Sequence, residues 1–239
     1  TNQWARLTQT QIDGNPRIIS LAVSENNPSH VWFGGFNALY KSSNWGVDWT
    51  NSVEAGIFPH AFGNISNIVI HPQNENCVWV CLDHFTAGRK VYHTLDGGQS
   101  WTNITNNLPN VPVNCMAYHE SSADLYIGTD LGVFILDGAQ GNTTWECFNT
   151  GMPNMVVTDL EINYCKGVIR AGTFGRGLWE SPLSSNPPLI RAASDYATKH
   201  ISSSALYIDS IKAEYSNLVV DSGVVLLVGT KSWRMPQGG

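Results

Sequence analysis

The chain has 239 residues, and only 13% of them are charged, about half the ~25% of an average soluble protein. Its formal net charge is −6 and it has no run of Lys or Arg, which argues against nucleic acid or an anionic membrane surface as the partner. No apolar stretch approaches the ~20 residues that a membrane span requires, and the 9 Trp and 22 Gly favour short strands joined by tight turns.

The N-terminal residues TNQWARLTQT resemble the closing strand of the repeat described next, with Trp4 as its aromatic residue. The chain starts at Thr1 without an initiator Met. We therefore expect a processed or trimmed segment.

Four runs along the chain share one pattern: a short alternating strand, a polar turn and a second apolar strand. They read IISLAVSENNPSHVWFGG, ISNIVIHPQNENCVWVCL, VNCMAYHESSADLYIGTD and VTDLEINYCKGVIRAGTF. The equivalent residues Val31, Val78, Leu125 and Ile169 are separated by 47, 47 and 44 positions. A third strand follows in each run, and a fourth that begins at a Trp follows the first three. Four short strands every ~45 residues predict an all-β fold, a β-propeller whose blades stack around an axis.

Residues 1–183 form the predicted propeller, and its last repeat lacks a fourth strand. Either the N-terminal strand completes the last blade and closes a ring of four, or the chain is part of a larger propeller. In the second case, which we favour, Trp4 closes the blade before the first visible one.

The repeat pattern stops after Leu183. Residues 184–190 read as a Pro, Ser and Asn linker, and residues 191–239 as a small β-rich region. Within that region, the sequence IKAEYSNLVVDSGVVLLVG predicts two strands joined by an Asp-Ser-Gly turn.

Neither a metal ion nor a cofactor is expected from the sequence. The five cysteines, Cys77, Cys81, Cys115, Cys147 and Cys165, stand singly and form no Cys or His cluster with metal-ligand spacing. No phosphate-binding loop or Ser-His-Asp pattern is present.

The turns between the third and fourth strands carry the pattern Ser/Thr-x-Asp/Asn-x-Gly-x-x-Trp. The first two repeats match it fully and the third, with inserted residues, keeps only two members: Ser42, Asn44, Gly46 and Trp49; Thr94, Asp96, Gly98 and Trp101; Asp137 and Trp145. An Asp or Asn there can accept backbone hydrogen bonds, Gly permits a positive φ, and Trp packs on the blade. The alternation of Asn44 with Asp96 indicates a structural acceptor, and one carboxylate is too few for a calcium site.

This pattern resembles the Asp-box (BNR repeat) of sialidase-like, sortilin-like and xyloglucanase-type propellers. The phrase AGTFGRGLWESPL at the end of the fourth repeat resembles the blade endings of propellers in secreted Bacteroidetes-type proteins. The resemblance covers residues 15–183 and implies an extracellular or cell-surface location, with no membrane span in this segment.

The ligand face of a propeller is expected where second strands join third strands and fourth strands join the next blade. Polar and aromatic residues of those connections form the candidate ligand rim: Phe58, His60, Phe62, Asp83, His84, Phe85, Arg89, Asp130 and Arg176. Aromatic and histidine side chains on one rim favour a carbohydrate or a protein as the ligand.

We predict a non-catalytic adhesion, scaffold or carbohydrate- or protein-binding module. The chain lacks the arginine set of a sialidase, and only Asp83 and Asp130 could act as the two carboxylates of a glycoside hydrolase, which is the alternative. A second alternative is a subunit of an extracellular assembly that pairs through exposed strand edges.

Overall fold

The computed structural model describes residues 17–53, 55–56, 58, 63–138 and 143–184, and the backbone of four short strands beyond them. No helix in these ranges is long and apolar enough to cross a membrane. The N-terminal strand predicted around Trp4 lies outside the described residues.

The described chain is all-β, as predicted. Its first fifteen strands are β1 (Ile18–Val23), β2 (Val31–Gly35), β3 (Ala38–Ser42), β4 (Thr50–Asn51), β5 (Ile65–His71), β6 (Asn74–Leu82), β7 (Val91–Thr94), β8 (Thr102–Asn103), β9 (Val113–His119), β10 (Asp124–Thr129), β11 (Gly132–Leu136), β12 (Glu146–Cys147), β13 (Val157–Asn163), β14 (Val168–Thr173) and β15 (Gly177–Pro182). They form three sheets of four strands, β1–β4, β5–β8 and β9–β12, and one of three strands, β13–β15. We call these sheets blades 1 to 4.

Each of the first three blades is an up-and-down antiparallel sheet whose first two strands have an irregular register near one end. The register shifts fall between Ile18 and Ser20 in blade 1, between Ile65 and Asn67 in blade 2, and between Gly128 and Thr129 in blade 3. A bulge bends a strand and increases its twist. Its recurrence at one position indicates that the three blades share one backbone design.

Alternate residues of each second strand bury opposite faces of the sheet. In β6, Val78, Val80 and Leu82 pack with Trp32 and Leu39 of blade 1. The intervening Cys77, Trp79 and Cys81 pack with Val113, Met116 and other residues of blade 3. Both faces of β6 are therefore buried, which explains its nearly continuous apolar sequence.

The five cysteines are all unpaired, and they differ in access to solvent. Cys77, Cys81 and Cys115 are buried, while Cys147 and Cys165 are exposed. Burial raises the pKa of Cys77 to about 11 and that of Cys81 to about 12. The buried thiols therefore act as small core residues.

The chain divides into two compact units, residues 1–160 with 171–179 and residues 161–170 with 180–239. In the second unit the described C-terminal strands are β16 (Lys199–Ile201), β17 (Ala205–Ile208), β18 (Leu218–Val220) and β19 (Val225–Val228). Strand β16 pairs in parallel with β18, and β17 with β19. The two strands expected here are present, but they are bonded to earlier strands in the chain and not to each other. The predicted linker beyond Ser184 lies outside the described residues.

Candidate functional site

One rim of the propeller is built from the hairpins that join the second and third strands of each blade. The tip of each hairpin carries a large apolar side chain in solvent: Phe36 (63% exposed), Phe85 (67%), Leu131 (36%) and Phe174 (77%). We call these four residues the tip row. An exposed apolar side chain thus recurs in the same connection of all four blades, which makes this rim the candidate interaction surface.

Local hydrogen bonds hold these short hairpins. In blade 3, Thr129 Oγ1 donates to the carbonyl of Gly132 at 2.8 Å and accepts from the Leu131 N–H at 3.1 Å. In blade 4, Thr173 Oγ1 donates to the carbonyl of Gly177 at 2.6 Å. The turn backbone is thus fixed by a threonine at its base, so the tip side chain is presented without needing contacts of its own.

The hairpin of blade 2 is longer and is organised around a buried lysine. The Lys90 ammonium donates to the carbonyl of His84 and lies 6.0 Å from the centre of the Phe85 ring. Burial lowers the pKa of Lys90. Burial first, and then the charge of Lys90, lower the pKa of His84. These contacts fix the backbone that carries Phe85.

His84 itself is packed inward. Its Nδ1 accepts a hydrogen bond from the Thr86 N–H at 3.1 Å, so the neutral ring carries its proton on Nε2. A Cβ placed on Gly63 would come within 2.2 Å of the His84 ring. The partly buried His84 ring is therefore packed against Gly63.

The two candidate carboxylates are each bound by an asparagine of their own blade. Asp83 accepts from the N–H of Asn64 at 3.1 Å and from its side-chain amide at 2.9 Å. Asp130 accepts from the side-chain amide of Asn114 at 3.0 Å. These hydrogen bonds join the hairpin to the first strand of the blade in blade 3 and to the residue before that strand in blade 2.

The other predicted rim residues are placed differently from one another. Phe58 is buried, with its ring centre 5.0 Å from that of Trp101 and 5.2 Å from that of Tyr92. This is a correction: Phe58 belongs to the core because the blade interface covers it. Arg89 and Arg176 are exposed, and His60 and Phe62 lie outside the described residues.

Sequence reasoning missed three members of the tip row, Phe36, Leu131 and Phe174. The signal was available, because each follows the second strand of its repeat by one or two residues. A single exposed Phe is ordinary in a soluble protein, and only the repetition makes it informative.

At the outer edge of the blades, the third-to-fourth strand turn of blade 2 is held by Asp96. Its Oδ1 accepts from the N–H groups of Gln99 and Ser100, both at 2.9 Å, and from Thr94 Oγ1 at 2.7 Å. Its Oδ2 accepts from Ser100 Oγ at 2.6 Å. The hydrogen bonds from Ser100 and Thr94 hold the pKa of Asp96 well below its usual range.

The turn of blade 1 repeats this arrangement with an amide. Asn44 Oδ1 accepts from the Asp48 N–H at 2.8 Å and from Ser42 Oγ at 2.9 Å. Ser42 Oγ also accepts from the Gly46 N–H at 2.9 Å, as Thr94 Oγ1 accepts from that of Gly98 at 2.8 Å. Gly46 and Gly98 have φ values of 80° and 87°. Both turns therefore have an acceptor oxygen at this position, but only Asp96 carries a negative charge there.

The Trp residues at these turns are used differently in the three blades. Trp49 Nε1 donates to the carbonyl of Gly46 at 2.9 Å, whereas Trp145 Nε1 donates to the carbonyl of Ile104 in blade 2 at 2.8 Å. Trp101 packs edge-on against Trp32, with ring centres 5.8 Å apart. Asp137 begins the turn of blade 3, part of which lies outside the described residues.

Within the described ranges, no group of three or more His, Cys, Asp or Glu is placed to hold a metal ion. No family model matches the chain, and no curated protein matches it. The chain does, however, resemble several solved structures.

Three solved structures illustrate this likeness. A GH74 xyloglucanase from Xanthomonas campestris matches 75% of this chain and 30% of its own, with 17% identity and a TM-score of 0.55. The extracellular domain of the BT4673 one-component system from B. thetaiotaomicron matches 75% of this chain and 23% of its own, with 18% identity and a TM-score of 0.54. YCF48 bound to D1 peptide matches 73% of this chain and 54% of its own, with 18% identity and a TM-score of 0.53.

This chain thus spans less than two thirds of the length of each of these proteins. At such identities the likeness concerns the fold alone. Together with the stacked four-stranded sheets, it establishes that the chain has a β-propeller fold.

Proposed function

We propose that this chain is a non-catalytic, extracellular binding module of the Asp-box type that recognises a protein through the tip row. The observation that carries the proposal is the exposure of Phe36, Phe85, Leu131 and Phe174 at equivalent hairpin tips. Because exposing these side chains to water is unfavourable, covering them with an apolar partner segment would favour association.

A protein segment fits the tip row better than a sugar does. Three of its members are Phe, which has no hydroxyl or indole N–H, and sugar recognition needs polar groups that hydrogen-bond the hydroxyls. The carboxylates nearest the tips, Asp83 and Asp130, are engaged by Asn64 and Asn114. The solved structure of YCF48 bound to D1 peptide supports the proposal, since a protein of similar fold binds a peptide.

The proposal extends to location and role. The resemblance of the outer turns to Asp-boxes and of AGTFGRGLWESPL to secreted Bacteroidetes-type blade endings supports a secreted or cell-surface protein, as does the similar extracellular domain of BT4673. In that setting the module would serve adhesion or scaffolding. Glycoside hydrolysis is the competing function, because GH74 enzymes have a similar fold.

The test compares two sets of variants that remove equally exposed apolar side chains. The rim variant carries Phe36→Ser, Phe85→Ser and Phe174→Ser. The control carries Val47→Ser and Leu95→Ser, two outer-turn residues that are also about two-thirds exposed. The native chain and both variants are used to select binders from a displayed peptide library. Each is also tested for binding on a glycan array and for cleavage of a panel of polysaccharides. Since all five side chains lie in solvent, both variants are expected to fold.

We expect peptides with apolar side chains to be enriched by the native chain, with affinity lost about tenfold or more in the rim variant and kept in the control. Polysaccharide cleavage that disappears in Asp83→Asn or Asp130→Asn would replace the proposal with the hydrolase. Glycan binding that depends on the rim would replace the protein partner with a carbohydrate.

A further inference from the structure

The first strand of each of blades 1 to 3 carries two apolar side chains at equivalent register positions. One of the two pairs with the last residue of the second strand; these residues are Ile18, Ile65 and Val113. The other pairs with the residue two positions earlier in that strand; these residues are Leu21, Ile68 and Met116. In blades 2 and 3 these side chains are at most 5% exposed, whereas Ile18 is 57% and Leu21 64% exposed in blade 1. Within the part of the chain that the structure describes, blade 1 therefore leaves open a surface that the next two blades bury.

The preceding blade covers this surface in blades 2 and 3. Trp32 and Leu39 of blade 1 pack in one cluster with Ile65 and Ile68 of blade 2. A Cβ on Gly34 would lie 2.4 Å from the Cβ of Ile65, so the small residue allows the two sheets to approach. An aromatic residue and, two positions later, a small one thus form the covering side.

The same pattern, an aromatic residue followed two positions later by a small one, recurs in the second strands of blades 2 and 3. Trp79 and Cys81 of blade 2 pack with Val113 and Met116 of blade 3. In blade 3 the equivalent residues are Tyr126 and Gly128, and a Cβ on Gly128 would lie 2.6 Å from Val157. Trp32, Trp79 and Tyr126 are all buried, so each of these covering sides is already occupied.

Blade 4 has an arginine at the aromatic position. Arg170 stands where Trp32, Trp79 and Tyr126 stand in the other repeats, between the buried Ile169 and Ala171. Its Nε lies 2.8 Å from Glu180 Oε2, and both side chains are partly exposed. Covering an apolar surface with this ion pair would require desolvating both charges. Among the described residues, a second copy of the chain therefore offers no free aromatic covering side.

We propose that the open face of blade 1, formed by Ile18, Leu21 and Val23, binds a further propeller blade whose second strand carries an aromatic-x-small phrase. The proposal continues an interface that the chain already makes twice, between blades 1 and 2 and between blades 2 and 3. The face suits this occupant because β1 contains no charged residue and all three side chains are at least half exposed. It is independent of the tip row.

A tandem duplication tests this proposal in the full chain. A second copy of residues 17–63, which is one repeat in length, is inserted before Arg17, so that the added Trp32, Gly34 and Leu39 meet the original Ile18 and Leu21. We expect amide exchange of residues 18–23 in the original copy to slow by about tenfold or more. Leu21→Ser in the original copy should then lower the melting temperature, as Ile68→Ser does in the native chain, whereas in the native chain Leu21→Ser has little effect.

The matched control is the same duplication with Trp32→Arg in the added copy, which reproduces the residue of blade 4. It should return the exchange of residues 18–23 to the rate of the native chain. Unchanged exchange in the first duplication would overturn the proposal. So would a native chain that forms dimers which Leu21→Ser dissociates, because the occupant would then be a second copy.

Discussion

The Lys41 ammonium donates a 2.6 Å hydrogen bond to the backbone carbonyl of Gly97. This contact joins the third strand of blade 1 to the outer turn of blade 2. The same ammonium lies 5.4 Å from the centre of the Trp32 ring. Burial lowers the pKa of Lys41, while the Asp96 and Glu75 carboxylates oppose that shift. One side chain thus links two blades through the Gly97 carbonyl and also contacts an aromatic ring of its own blade.

Replacing this lysine should weaken the contact between blades 1 and 2. Lys41→Met keeps the aliphatic stem beside Trp32 but removes the donor to Gly97, and we expect a loss of about 1–2 kcal/mol in the free energy of unfolding. Urea denaturation measures it. Lys166→Met, at an exposed lysine, is the control and should change stability by less than about 0.5 kcal/mol. Equal effects of the two substitutions would contradict a specific role for Lys41.

The hydroxyl of Thr94 should matter more than its methyl group. Thr94→Val has nearly the same shape but leaves the Gly98 N–H without its acceptor at a buried position, so we expect a loss of about 1–3 kcal/mol. Thr94→Ser keeps the hydroxyl, as the equivalent Ser42 does in blade 1, and should cost less. Thermal or urea denaturation ranks the two, and a reversed order would show that packing of the methyl group dominates.

Asp96 should make stability depend on pH in the acid range. Its folded pKa lies below the unfolded value of about 4, so the folded state binds fewer protons there. Its contribution is complete above that unfolded value and is lost as the pH falls toward the folded pKa. Asp96→Asn keeps an acceptor oxygen for the turn and should flatten the fall in melting temperature from about pH 5 to pH 2.

A carboxylate introduced into the equivalent turn should behave in the opposite way. Asn44→Asp would place a negative charge against Asp48, whose Oδ2 now accepts from the Asn44 amide at 2.8 Å. We expect this variant to be less stable than the native chain at neutral pH and to recover as the pH falls. Parallel acid titrations of the two variants check this contrast, and identical profiles would contradict it.

Two glycines with positive φ should differ in their tolerance of alanine. A Cβ on Gly98 would lie 2.4 Å from Trp32 Cη2, whereas a Cβ on Gly88 would have no atom within 4 Å. Both substitutions strain the backbone by about 1 kcal/mol, and only Gly98→Ala also displaces a core tryptophan. We therefore expect Gly98→Ala to be the more destabilising by about 1–3 kcal/mol, measured by urea denaturation. Equal losses would mean that backbone strain alone limits both sites.

Sequence by itself determined the all-β repeat, because alternation and turn residues act over a few positions. The hydrogen bonds of the outer turns are also local, because the carboxylate of Asp96 and the amide oxygen of Asn44 accept from groups within four residues of themselves. Such contacts form readily because few residues separate the donor from the acceptor. The fold was therefore predictable before any tertiary contact was known.

Only the tertiary structure decided which side chains reach the surface. Phe58 and Phe85 are the same residue type in similar connections, yet one is in the core and the other in solvent. Asp83 is bound by a residue 19 positions away, and Lys41 finds its acceptor 56 positions away. Burial and long-range pairing depend on how the blades stack, and local sequence patterns do not encode that stacking.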